Sequence, residues 1–399
     1  MHITHVIGVA LAICTADKPS PPGWVADLPF TYWHSGGVPL IAMTLNGRGP
    51  FLMMFDTGAM ITIIDRKVYE AVGGAPLVID DRSTISMSGE LTRTHKGSLT
   101  LEGGGQRWEA QSVKVHPLAV MTRRQGVEGG TVGLNIWNRL VVEIDYEGER
   151  IRLFHPEQFV PPDGASTLRL EPRPDGMTSA SPGLFVKGQI AGQEGTFILD
   201  SGSAGSHVTH DFAERANLSS QPPYFSASIS GSDGGRVNLP FYKTTLLLTL
   251  GSTSIRPHLF SLNRSFTGED GLLGWSVLQG FRIFFDLSHR RLYLIRRPQF
   301  DVTRTSFAMQ MEGMHETQTT AEGHEERALE WYRKALEVHP KNPNLFPGIV
   351  RILSKLHRDR EALDMINTYL QWYPDDQAMR ERRERIQQRL SPASPKLNR

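Results

Sequence analysis

Residues 49–64 read GPFLMMFDTGAMITII, and residues 195–208 read GTFILDSGSAGSHV. In each, an apolar run ends on an aspartate, followed by a hydroxyl residue, a glycine, a small residue and further β-type residues. The two aspartates, Asp56 and Asp200, lie 144 positions apart. A second pair of segments repeats at nearly the same distance. Residues 130–153 read GTVGLNIWNRLVVEIDYEGERIRL and residues 271–294 read GLLGWSVLQGFRIFFDLSHRRLYL, which aligns Gly133 with Gly274, Leu140 with Phe281 and Asp145 with Asp286 at an offset of 141. Two separate blocks repeating together imply an internal duplication. The chain divides into homologous lobes at 38–156 and 180–297, joined by a proline-bearing linker at 157–179.

Both lobes read as β. Short runs such as 38–45, 99–101, 184–190 and 244–250 are bounded by Gly, Pro, Asn or Ser, the punctuation of strands and turns. Residues 150–154 and 291–295 follow turn-like tetrapeptides and read as the return strands of hairpins. Asp145 and Asp286, just before those turns, suit Asx-type turns rather than chemistry.

Peptide hydrolysis by carboxylates needs two of them facing one water, one ionised to take its proton and the other protonated to donate to the carbonyl oxygen. Two carboxyls a few ångströms apart meet this condition because both cannot ionise together. The repeated tripeptides fit the task. Asp56 and Asp200 supply the carboxyls, and Gly58 and Gly202 permit a tight turn with close backbone approach. Thr57 and Ser201 offer hydroxyls to brace the opposite loop, and the apolar runs before each aspartate anchor the loops on buried strands.

In these features the chain resembles the retropepsin-like and pepsin-like aspartic peptidases. The resemblance spans roughly residues 38–297 and rests on Asp56-Thr57-Gly58-Ala59 and Asp200-Ser201-Gly202-Ser203. Each is followed by a hydrophobic-hydrophobic-Gly element, Thr131-Val132-Gly133 and Leu272-Leu273-Gly274, with Thr131 standing where the family prefers an aliphatic residue. The resemblance implies a mainly β fold of two homologous β-barrel lobes forming a pseudo-dimer in a monomeric chain. It implies Asp56 and Asp200 as the catalytic pair, with Thr57, Gly58, Ala59, Ser201, Gly202 and Ser203 supporting their loops. It also implies a peptide or protein substrate, no cofactor, and a glycine-bearing flap, for which Gly89, Gly231 and Gly234 are the candidates.

The rest of the sequence narrows the function further. The net charge of +1 gives no footprint for nucleic acid. The 14 histidines show no metal-ligand spacing, and Ser203 and Ser206 lack a nucleophile-elbow pattern. The single cysteine, Cys14, excludes an internal disulfide framework. It ends an apolar run, 5–14, that is too short for a membrane helix but suits a signal-peptide core. Residues 1–16 are therefore expected to direct export to the periplasm or outside, and no stretch reaches integral-membrane length. After residue 305 the composition changes. Helical patterning begins at Ala321, with Ala328-Leu329 recurring as Ala362-Leu363 and Pro340 as Pro374. Both intervals are 34, the tetratricopeptide period, so residues 321–390 read as a small helical hairpin region able to hold a protein partner. Two alternatives to a peptidase stand at this stage: a two-lobed cleft that binds extended peptide without cutting it, and an interaction scaffold driven by the tail.

Overall fold

A computed structural model describes residues 23–32, 37–85, 91–118, 127–174, 183–230, 236–264 and 268–391. Among the described residues the lobes are built mainly of β-strands, most of them paired antiparallel, with five helices after residue 305. The mainly β, two-lobed fold expected from the repeat is the one observed.

The duplication is visible element by element. In the first lobe, strand Arg48–Phe55 carries the chain into the Asp56 loop, strand Ile63–Asp65 carries it out, and helix Arg66–Ala71 follows. In the second, strand Gln193–Leu199, strand His207–Thr209 and helix His210–Arg215 do the same around Asp200. Both helices start on a side-chain cap. Asp65 accepts from the amides of Lys67 and Val68, and Thr209 accepts from Phe212, which satisfies amides that have no partner within the helix.

The strand of each hydrophobic-hydrophobic-Gly element lies parallel to the strand that delivers the aspartate. Met53, Met54 and Phe55 face Gly130, Thr131 and Val132, while Phe197, Ile198 and Leu199 face Gly271, Leu272 and Leu273. Each is flanked on its other side, antiparallel, by the outgoing strand. The aspartate loops are thus held on a three-strand platform whose residues Phe55, Ile64, Val132, Leu199, Val208 and Leu273 are fully buried.

The lobes are joined through a continuous ladder. Strand Val141–Asp145 of the first pairs antiparallel with strand Phe281–Asp286 of the second, Ile144 opposite Ile283. Glu143, buried at this seam, accepts from Arg152 at 2.7 Å and from Arg282 of the other lobe. Asp145 and Asp286 do close turns, accepting from the amides of Gly148 and His289 at 2.9 and 3.0 Å.

Two elements extend beyond the sequence-based boundaries. Strand Trp24–Tyr32 precedes the expected start of the first lobe and pairs with Arg150–Phe154; Pro29 within it hides the strand pattern. Strand Ser166–Arg169 lies inside the expected linker and pairs with the Arg291–Leu294 stretch. The candidate signal segment 1–16, the flap candidates Gly89, Gly231 and Gly234, and residues 392–399 lie outside the described residues. The two flap stretches fall between strands that pair as hairpins, Val78–Ile85 with Leu91–Gly103 and Phe225–Ser230 with Arg236–Lys243.

The tail begins earlier than its pattern suggests. Helix Ser306–Glu316 precedes helices His324–Val338, Leu345–Lys355, Asp359–Trp372 and Gln377–Leu390. Its sequence, SFAMQMEGMHE, has Gly313 in its interior and only weak apolar periodicity, so it escapes a search for a helical stripe. The last four helices share one core containing Leu329, Tyr332, Phe346, Ile349, Ile366 and Tyr369. No helix among the described residues is long and apolar enough to cross a membrane.

The first helix of the tail docks on the second lobe through Glu312, which accepts from Tyr224 Oη at 2.7 Å and Lys243 Nζ at 2.9 Å and lies 2.6 Å from His258 Nε2. Burial alone would raise this carboxyl, but the bonds from His258, Lys243 and Tyr224 outweigh it and hold the group at about 2, below its ordinary 4.5. A carboxyl depressed in the folded state stabilises fully above its unfolded value and loses that contribution as pH falls through the folded one. Glu312→Gln should therefore melt at a lower temperature than the native chain at neutral pH, with the difference shrinking between about pH 4.5 and 2. Thermal unfolding of both proteins across that range measures it, and a pH-independent difference would count against an ionic role.

Candidate active site

At the junction of the lobes the two aspartate loops face each other as near mirror images in function. Asp56 Oδ1 accepts from the amides of Gly58 and Ala59 at 2.8 and 3.1 Å, and Asp200 Oδ1 accepts from Gly202 at 2.8 Å. The two carboxyls lie close enough for each to act on the other's ionisation, and the amide of Gly202 favours the ionised form of both. Both glycines are required by this closeness. A Cβ on Gly58 would sit 2.6 Å from Asp200 Cγ, and one on Gly202 would sit 2.4 Å from Asp56 Cγ.

Thr57 and Ser201 make a reciprocal brace. Thr57 Oγ1 donates to the carbonyl of Leu199 at 2.7 Å and accepts the amide of Ser201 at 2.9 Å. Ser201 Oγ donates to the carbonyl of Phe55 at 2.8 Å and accepts the amide of Thr57 at 3.0 Å. Both side chains are essentially inaccessible. Each loop is also tied to the element beneath it. Asp56 donates its amide to Val132 O, and Asp200 to Leu273 O. Ala59 O accepts from Leu134, and Ser203 O accepts from Trp275.

Sequence reasoning missed a further pair of hydroxyls, six residues after each aspartate. Thr62 Oγ1 accepts the amide of Gly133 at 3.1 Å, and Ser206 Oγ accepts the amide of Gly274 at 3.0 Å. Thr62 is held in turn by Asn135 Oδ1, and Ser206 by the hydroxyl of Ser276, the position equivalent to Asn135. The equal spacing in both lobes was the signal that could have found them.

The electrostatics follow from this packing. Burial pushes both carboxyls up. Asp200 rises well above its ordinary value, pushed further by the charge of Asp56 beside it. Asp56 rises less, because the hydrogen bond from Asp200 and the amides of Gly58, Ala59 and Gly202 favour its ionised form. Two carboxyls this close do not both ionise, so they titrate as a pair, with the surroundings favouring ionisation of Asp56 more than of Asp200.

Two like lobes that each deliver an Asp-(Thr/Ser)-Gly loop to a shared carboxyl pair define the two-lobed aspartyl-protease fold. A family model described as aspartyl protease matches residues 41–136 and 186–277, once in each lobe. Among solved structures the chain is similar to the aspartic proteinase from Irpex lacteus, with 12% sequence identity, 68% of this chain and 97% of that chain covered, and a TM-score of 0.43. No curated protein matches.

Because each brace hydroxyl serves a buried amide and a buried carbonyl, its loss leaves both without a partner. Thr57→Val and Ser201→Ala should each lower unfolding stability by about 1–3 kcal/mol. The double variant should lose measurably less than the sum, since the two side chains share their partners. Urea denaturation of the four proteins decides this; strict additivity would show the hydroxyls acting independently.

Proposed function

We propose that this protein is an aspartic endopeptidase that hydrolyses peptide bonds with a water activated between Asp56 and Asp200. The observation that carries the proposal is the close facing of two carboxyls from opposite lobes, each held by loop amides and pressed against the glycine of the opposite loop, and neither neutralised by a basic side chain among the described residues.

In this reading Asp56, favoured as the ionised partner, takes a proton from the water as it attacks the scissile carbonyl carbon. Asp200 gives its proton to the carbonyl oxygen. The tetrahedral gem-diol then collapses: Asp56 passes the proton it took to the amide nitrogen, a gem-diol hydroxyl gives its proton back to Asp200, and the C–N bond breaks to release amine and carboxylic acid, leaving the pair as it began. Because the loops are set by Thr57, Ser201, Thr62 and Ser206 before substrate arrives, little reorganisation accompanies the reaction. Thr57 and Ser201 brace and do not react. Ser203, whose hydroxyl is spent on Gly205 O at 2.9 Å, takes no covalent role.

The same proposal covers the ends of the chain. Residues 1–16 direct export, so the enzyme works in the periplasm or outside the cell as a monomer. The helices within 321–390 form a tetratricopeptide-type region that presents a surface to a protein partner. The 34-residue interval between Ala328 and Ala362, both fully buried, supports that relation.

Asp56→Asn and Asp200→Asn should each abolish nearly all cleavage of an unstructured protein substrate, and the double variant should lose no more than either single one, since the dyad acts as a unit. Native activity should be bell-shaped in pH and indifferent to chelators and to serine or cysteine reagents. Full activity in Asp200→Asn would remove the second lobe from catalysis and favour a peptide-binding role for it. Export is checked separately: the mature chain recovered from an expressing host should begin near Asp17, and intact Met1 on protein from the cytosolic fraction would reject it.

A further inference from the structure

The lobes repeat closely around their aspartates, but the fifth residue after each aspartate differs in kind. The first lobe has Ile61 five residues after its aspartate, and the second has Gly205 at the equivalent place. Gly205 belongs to the tightest part of the loop. Its carbonyl accepts from Ser203 Oγ and lies where a Cβ on Gly274 would come within 2.0 Å. The space that a side chain at 205 would enter is filled from the tail instead. The ring of Phe307, on helix Ser306–Glu316, lies with Cζ 3.2 Å and Cε1 and Cε2 3.9 Å from the Cβ position of Gly205. The same ring packs against both the main core and the separate cluster of Phe225, Leu239, Phe241 and Leu259. One tail residue therefore touches both the Asp200 loop and the paired strands Phe225–Ser230 and Arg236–Lys243.

The helix that carries Phe307 is fixed by contacts of other kinds. Glu312 takes its three partners on the lobe, as described above. His315 stacks on Tyr224 with ring centroids 3.6 Å apart and bonds its carbonyl at 2.7 Å. Gln318 pairs with both backbone groups of Ser226 at 3.2 and 2.7 Å, closing the edge of the nine-stranded sheet. A second tail residue, His339, lies against Tyr32 and Trp275 with ring centroids 5.8 and 6.3 Å away, and Trp275 donates its amide to Ser203 O under the Asp200 loop.

We propose that the tail is part of the hydrolytic unit, with Phe307 as a positioning residue that seats the Asp200 loop through Gly205. The second lobe gives up the side chain at 205 and receives its packing from helix Ser306–Glu316, so the geometry of Asp200 depends on a segment outside both lobes. This inference rests on the peptidase reading for its kinetic consequence but not for its structural one.

The experiment compares the full-length chain with Phe307→Ala and Phe307→Leu by steady-state cleavage of a reduced, alkylated protein substrate and by hydrogen–deuterium exchange. Because small misplacements of reacting groups cost rate far more than binding, Phe307→Ala should lose roughly a hundredfold in kcat, with KM changed much less. Phe307→Leu, which restores most of the apolar volume, should recover most of that rate. Amide exchange over 200–206 and 274–278 should accelerate in Phe307→Ala, while strands Leu91–Gly103 and Gln106–His116 of the first lobe stay as protected as before. A kcat near that of the native chain with unchanged exchange in the Asp200 loop overturns the proposal. So does a loss shared equally by kcat and KM with exchange raised across the whole chain, the mark of general destabilisation. If Phe307→Ala does not fold, Phe307→Leu decides, with a smaller kcat loss and the same local exchange expected. If the native chain cleaves nothing, the peptidase reading fails and exchange alone judges the seating of the loop.

Discussion

Thr57 and Ser201 each place one hydroxyl at the lobe junction, where it donates to a carbonyl of the other lobe and accepts the other residue's amide. Four bonds thereby close in a ring that excludes water, and all four cross between lobes. A buried polar network is stabilising only when every member is satisfied, and here each oxygen uses donor and acceptor capacity together. Two consequences reach the carboxyls. The loops cannot slide relative to each other without breaking bonds in a medium where no water replaces them. The glycines that follow are then held where each leaves room for the opposite aspartate, which brings two acids close enough to share a proton.

Much of this was legible before any coordinates. The tripeptides at Asp56 and Asp200 carry their own chemistry, and the repeated blocks at 130–153 and 271–294 imply the platform beneath them, because duplication preserves partners as well as sites. The turn roles of Asp145 and Asp286 were readable because an aspartate before a return strand has a common use. What escaped has a physical reason in each case. Strand Trp24–Tyr32 is interrupted by Pro29. Strand Ser166–Arg169 is four residues long and gains its identity only from the ladder it joins. The hydroxyls of Thr62 and Ser206 look like ordinary loop residues until their distance from the aspartates is compared across lobes. Helix Ser306–Glu316 lies flat between a lobe and other helices, so its apolar residues face several directions and leave no single stripe.

That helix changes what the tail is. Read by period alone, residues 321–390 are an appended array, and arrays of so few helices are weak by themselves. In the folded chain these helices continue from a helix that is packed into the second lobe. Ser306 Oγ bonds the carbonyl of Ala335 at 2.9 Å, so the array and the docking helix are tied in turn. Charge at Glu312, aromatic stacking at His315 and edge pairing at Gln318 act on one short segment. The lobe lends the tail its stability, and the tail supplies packing that the lobe lacks at Gly205.

The brace also sets an order of events. Its partners are separated by 144 residues, a long loop whose closure must precede any of its four bonds. Domains fold as units from the N-terminus as the chain leaves the ribosome. The Asp56 loop is therefore made while Ser201 does not yet exist, and the carboxyl pair is assembled only once the second lobe has formed against the first. During synthesis the growing chain carries a lone aspartate in an unbraced turn. A pair divided in this way comes together only after the second lobe has been made.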